Sequence, residues 1–165
     1  MERRAKKTGP GADRQSEFDQ KVVEVSRVTR VVAGGKRMRF RALVVIGDRK
    51  GRIGMGLRKG RDVAESVNKA VNQAKKNMVT LPLVNGTIPH EMSIKYKSSK
   101  LLLRPAKPGT GVIAGGAIRQ VAEMAGIKNM MSKMLGSSNK VNNIKAVFAA
   151  FRLMKSKEAL AALRK

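Results

Sequence analysis

The chain has 165 residues, and its 36 Lys+Arg against 11 Asp+Glu leave a net charge of +25. A field of that sign repels itself unless counter-charge is supplied, and a phosphate backbone is the natural supply. Zero cysteines, one His and thinly spread acids argue against disulfides, thiolate metal sites and general-base chemistry. No apolar run reaches the ~20 residues of a spanning helix, and neither end resembles a signal peptide. The expectation is therefore a non-enzymatic cytoplasmic protein with no cofactor, metal, small-molecule substrate or membrane. Four Phe, one Tyr and no Trp are few for a reader of single strands, which stacks bases on aromatic rings. They suit folded RNA recognised through phosphates and shape.

Residues 1–19 lack periodicity and read as a basic flexible arm, either a frayed terminus or a tail that orders on RNA. Lys21 to Val32 is rich in Val and Thr and reads as a strand carrying Arg27 and Arg30. Ala33-Gly34-Gly35-Lys36 then turns the chain, making a slim positive loop with Arg37. The hairpin from Arg37 to Gly60 organises the first half. Met38, Phe40, Ala42, Val44 and Ile46 alternate with Arg37, Arg39 and Arg41. After the turn Gly47-Asp48-Arg49-Lys50-Gly51, Ile53, Met55 and Leu57 alternate with Arg52 and Arg58. This pattern predicts a ribbon with one oily face and one guanidinium face, Gly54 and Gly56 falling on the polar side. An ordinary solvated sheet face would mix both signs, but here Asp48 stands alone among the bases.

Gly60 to Thr80 reads as a helix opened by Asp62 and Glu65 in a capping-box pattern. Its stripe of Val63, Val67, Ala70, Val71, Ala74 and Met78 is the expected cover for Met38/Phe40 and Ile53/Met55. Gly54 to Arg61, with Arg58, Lys59 and Arg61, looks like a Gly-rich phosphate loop. It lacks the Gly-Lys-Ser/Thr of a nucleotide site, so RNA phosphate is the fitting ligand.

Val84 to Pro89 reads as a linker, which divides the chain into 20–84 and 85–155. His90 to Lys97 alternates as a half-buried strand, and a lone His there reads as structural. Leu101 to Pro105 is a second strand. Gly109, Thr110, Gly111, Gly115 and Gly116 then form a loop into a helix from Ala117 to Ala125, with Arg119 on it and Gly126 as its stop. These glycines permit close packing against the helix or against a partner protein. Ile127 to Leu135 is a strand with a helical alternative, and Val141 to Met154 is a helix capped from Gly136-Ser137-Ser138-Asn139. Ser156 to Leu160 can restart a short helix, and residues 156–165 form a basic tail.

These stretches taken together are similar to the family of bacterial small-subunit ribosomal protein number five. Carrying the resemblance are Val31 to Arg37, Gly47 to Gly56, Lys75-Lys76-Asn77-Met78, Asn85-Gly86-Thr87 and Gly109 to Ala117. Ala125 to Asn129 and Lys133 to Asn139 complete it, in family order over about Lys21 to Met154. Lys140 and Ser132 depart from the family's usual Pro and Ala. The resemblance implies an α+β chain. It has a double-stranded-RNA-binding-like domain of three antiparallel strands and one helix, then an α/β-plait-like domain, a mixed sheet with two helices. It further implies binding to small-subunit ribosomal RNA near the messenger entrance, contact with ribosomal proteins four and eight, and a part in translational accuracy. Gly34, Gly35, Lys36 and Arg37 would be the family's RNA loop, and Gly109 to Arg119 would face protein four.

The candidate RNA residues are thus Arg27, Arg30, Gly34, Gly35, Lys36, Arg37, Arg39, Arg41, Arg49, Lys50, Arg52, Gly54, Gly56, Arg58, Lys59 and Arg61. The alternative is a free-standing double-stranded-RNA-binding protein or RNA chaperone, which would not require the second domain. A transfer enzyme would need a base and a carboxylate near the Gly-rich loop, and Glu123 is the only acid there.

Overall fold

The computed structural model describes residues 18–156. The arm before residue 18 and the tail from residue 157, which holds most of the expected short helix, lie outside the described residues. The first sheet has the order β1-β2-β3-β4 and is antiparallel throughout, with β1 Asp19–Val32, β2 Gly35–Gly47, β3 Arg52–Gly60 and β4 Met78–Thr80. Helix α1, Val63–Lys76, joins β3 to β4. The predicted helix therefore ends early, at Asn77, and its last residues form an unforeseen fourth strand that pairs Arg52 with Thr80. Val79 and Thr80 are β-branched and favour the strand, which also satisfies backbone groups on the β3 edge.

Register decides which faces are buried. The ladder pairs Val45 with Met55, Leu43 with Leu57 and Ile46 with Gly54. Directly paired residues share a face, so the oily stripe of β2 lies with Gly54 and Gly56, not with Ile53 and Met55 as expected. Helix α1 covers that stripe from Ala42 to Ile46, where Ala42, Val44 and Ile46 pack with Ala70 and Ala74. A Cβ on Gly56 would lie 1.9 Å from the Ala70 carbonyl oxygen, and one on Gly54 2.4 Å from that of Ala74. The helix therefore rests directly on bare strand backbone. Leu43, Val45 and Ile53 occupy the opposite face and are buried too, in a shared core with the second half of the chain.

That second half builds a mixed sheet of order β5-β6-β8-β7, from β5 Met92–Tyr96, β6 Ser99–Pro105, β7 Val112–Ile113 and β8 Met130–Met134. Only the β7–β8 pair is parallel. The strand reading of Ile127 to Leu135 is the one realised, as β8. Helices α2, Gly116–Ala125, and α3, Lys140–Leu153, pack on one face through Ile118, Val121, Ile144 and Val147. Gly126 closes α2 at φ 81, and the Asn139 side chain caps α3 by accepting from Val141 N at 3.0 Å.

The two sheets meet through main chain as well as core. Arg49 N donates to Met124 O at 3.2 Å and Gly51 N to Ala125 O at 3.0 Å, so the β2–β3 turn is docked on the end of α2. The segment read as a linker is also fastened: Val84 and Thr87 bridge, and Gly86 O accepts from Lys128 N at 2.8 Å.

Candidate nucleic-acid interface

On β2, Arg37, Arg39 and Arg41 point away from α1, on the face that carries Leu43 and Val45 further along. The second sheet and its helices cover only the Leu43 end, so the arginine end is open. Register adds neighbours to it, because Arg30 pairs with Arg37 on one side and Lys59 with Arg41 on the other. Arg41 Nε donates to Ser26 Oγ at 3.1 Å, which holds that guanidinium against the sheet. A concavity of about 300 Å³ runs between Val28, Arg30, Arg37, Arg39 and Lys59. Beyond it the β1–β2 hairpin continues to its tip at Gly34, φ 85, and Gly35, φ 154. No heavy atom lies within 4 Å of where either Cβ would be, so the tip is slim and accessible. Lys36 is exposed beside it.

The remaining predicted RNA residues do not share this face. Gly54 and Gly56 are buried under α1, and the backbone they admit is the protein's own. They are not part of an RNA surface. Arg27, paired with Phe40, and Arg58, paired with Ala42, lie on the α1 side of the sheet. The single guanidinium face of the sequence reading is thus two surfaces, because the five-residue turn offsets β3 by one against β2. Arg49 and Lys50 are exposed on the docked turn, and Arg49 pairs with Asp19 at 2.8 Å. Arg52 pairs with Asp48 at 2.7 Å and lies over the Phe18 ring, 5.2 Å from its centroid. Burial works against the Asp48 charge. The Arg52 guanidinium and the N–H groups of Lys50 and Arg52 outweigh it, holding the carboxyl below its usual range. Arg61 is exposed, and its N–H donates to Glu65 Oε2 at 2.6 Å. Lys69, with that N–H, holds the Glu65 carboxyl low. The expected capping box is therefore not formed: Asp62, the N-cap, makes no side-chain cap, and Glu65 accepts from Arg61 N, one residue before the cap.

Sequence reasoning missed the polar flank of α1. Lys69, Asn72 and Lys76 stand at i, i+3 and i+7, so they share one face of the helix. With Arg41, Arg58 and Lys59 they border a groove of about 900 Å³ along the open edge of β3. The signal lies in that spacing, but the apolar stripe of the same helix is the stronger pattern and masks it.

The Gly-rich loop is held from below. Asn129 Oδ1 accepts from Gly109 N at 3.1 Å and from Gly111 N at 3.0 Å, and Thr110 N reaches Lys107 O at 3.2 Å. A Cβ at Gly109, Gly111 or Gly116 would meet nothing within 4 Å, whereas at Gly115 it would meet Met134. Internal packing thus explains one of the four glycines. Arg119 is exposed on α2 and pairs with Glu123 at 3.3 Å. No group of three or more metal-binding side chains occurs among the described residues, and none of their helices could cross a membrane.

Two small α+β units that share a core and present cation-rich faces have the build of a basic scaffold protein. Two family models match the chain, Ribosomal protein S5, N-terminal domain, over residues 18–82 and Ribosomal protein S5, C-terminal domain, over residues 94–164. The small ribosomal subunit protein uS5 of Treponema denticola is 50% identical over 148 residues, covering 90% of this chain and 86% of that protein. The chain belongs to the ribosomal protein S5 family, whose members are structural and not enzymatic.

Proposed function

We propose that the chain is a structural constituent of the small ribosomal subunit in the cytoplasm and binds ribosomal RNA there through the open face of its first sheet. The observation that carries this reading is the convergence of Arg30, Arg37, Arg39, Arg41 and Lys59 beside a glycine tip. The acids of β1, Asp19 and Glu24, pair with Gly47 and Leu43, towards the other end of the strands from Arg30, Arg37 and Arg39. Each cation would displace counterions condensed on the RNA phosphates, so affinity falls steeply with salt. Shape, not base edges, would supply specificity, since the face offers few groups suited to base readout. On this reading the units divide near residues 84–85. The Gly-rich loop of Gly109, Thr110, Gly111, Gly115 and Gly116, with Arg119, serves contact with ribosomal protein four; protein eight is a further partner, and the bound RNA lies near the messenger entrance. Open space above three of those glycines supports a partner's close approach. A contribution to translational accuracy follows from that position.

Sedimentation of a native lysate at moderate and at high salt tests the proposal. Co-migration with the small subunit at both is expected. Migration as free protein, or with mixed small RNAs, would replace it with the free-standing RNA binder.

A further inference from the structure

The groove on the flank of α1 does not end at the first sheet. Its residues Leu57, Gln73 and Asn77 also border a second recess, of about 320 Å³, that opens between the two sheets. The walls of that recess are of another kind. Met55, Tyr96, Phe148 and Ala149 give it an apolar lining, with Lys145 and Arg152 beside them. One continuous channel thus carries cations and amides along its longer part and an aromatic-walled pocket at its end.

We infer that this channel binds a single-stranded stretch of RNA, with the backbone along Lys69, Lys76 and Arg58 and one unstacked base in the recess at Tyr96. This rests on the proposal that the protein binds RNA, and adds a second site to it. A duplex presents phosphates and sugars outward and keeps its bases stacked, so it would use the cations but leave the recess unfilled. An unpaired nucleotide uses both ends, phosphate on the cations and a flat ring in the apolar pocket. Protein is the poorer fit to the long part. Every side chain that lines it except Leu57 ends in a cation or an amide. The amides have a use on RNA. Gln73 Oε1 already accepts from Leu57 N at 3.0 Å, which covers one open donor of the β3 edge, while its NH₂ and those of Asn72 and Asn77 are donors suited to base or phosphate oxygens. Sparse aromatics in the chain as a whole do not count against the site, since the one Tyr stands where a single base needs it.

The test uses the full chain, a fluorescein-labelled oligouridylate about a dozen nucleotides long, and an RNA hairpin carrying the same number of phosphates. The oligouridylate is expected to bind more tightly than the hairpin. Tyr96→Leu should weaken it about fivefold or more at an unchanged salt slope, with Tyr96→Phe restoring it. Lys76→Ala with Lys145→Ala should instead reduce the log–log salt slope by about 1.4. In case Tyr96→Leu fails to fold, a 4-thiouridine oligonucleotide crosslinked to the unaltered protein should label the peptide holding Tyr96 or that holding Phe148. Equal binding of both RNAs with no effect of these changes, or crosslinks confined to the β1–β2 hairpin, would overturn the site. If Arg37→Ala with Arg39→Ala then still weakened the hairpin, RNA binding by the sheet face would stand without it. Loss of neither would remove both.

Discussion

Lys21 Nζ, on the first sheet, donates to Glu123 Oε2, on α2 of the second, at 3.0 Å. The same carboxylate takes Arg119 at 3.3 Å, so one acid ties a strand of the first unit to the helix that follows the Gly-rich loop. The Lys21 hydrogen bond, more than the opposing burial, holds the Glu123 carboxyl below its ordinary range.

That direction fixes the pH dependence. A carboxyl with a lowered folded pKa contributes stability above its unfolded value, about 4.3, and loses it as pH falls through the folded value. Glu123→Gln should therefore be less stable than the parent at neutral pH, and the two should converge in acid. Both side chains are about two-fifths exposed, 39% and 40%. Screening then limits the effect to about 1 kcal/mol or less, or roughly 2–4 °C in melting temperature. Thermal melts from pH 7 to pH 3 measure it. A gap that widened in acid would contradict the assignment.

Gly56→Ala and Gly116→Ala are chemically identical changes with opposite surroundings. At Gly56 the new methyl would meet the Ala70 carbonyl oxygen at 1.9 Å, and main chain cannot swing aside. Lifting α1 from the sheet should cost about 1–3 kcal/mol or more, the range for overpacking. At Gly116 the methyl meets nothing within 4 Å, and the first position of α2 gains a better helix former. That variant should be neutral or slightly stabilised, by up to about 1 kcal/mol. Urea denaturation of the pair separates backbone crowding from loss of glycine as such.

Asn129 is 8% exposed and holds the N–H groups of Gly109 and Gly111. Asn129→Ala removes two hydrogen bonds whose donors water can reach, and should cost about 0.5–1.5 kcal/mol for each. Amide exchange should speed at Gly109 and Gly111 before anywhere in α2. Uniform acceleration over the whole second sheet would mean that the Asn serves the core and not the loop.

For the open sheet face, Arg37→Ala and Arg39→Ala should each lower the salt slope of ribosomal RNA binding by about 0.9 for every phosphate that the missing guanidinium leaves unneutralised. Gly54→Ala should leave the slope unchanged wherever the variant still folds, because Gly54 is buried. Filter binding over a salt series reads both.

The sequence made the elements legible and left their pairing unread. Alternation located β2 and β3, but alternation is blind to offset. Whether Ile53 joins Phe40 or Leu43 depends on how many residues the turn consumes. A clue lay in Ala42-Leu43-Val44-Val45-Ile46, an unbroken apolar run that marks a strand buried on both faces. Read so, it announces that a second layer must cover Leu43 and Val45. The Arg37, Arg39 and Arg41 part of the site was readable because it needs only one strand. The α1 groove needs a helix and a strand edge brought together by β4, and Met78 to Thr80 gave a helical stripe as readily as a strand.

The docking of the β2–β3 turn on α2 runs through peptide groups, Arg49 N to Met124 O and Gly51 N to Ala125 O. Every non-proline residue brings the same peptide N–H, so this seam asks nothing of the side-chain charge at positions 49 and 50, only a residue at 49 that tolerates its left-handed φ of 56. It measures the number of residues between Gly47 and Gly51. The turn can exchange its charges and keep the two halves joined, whereas one inserted residue would put the donors out of step with α2 and part them.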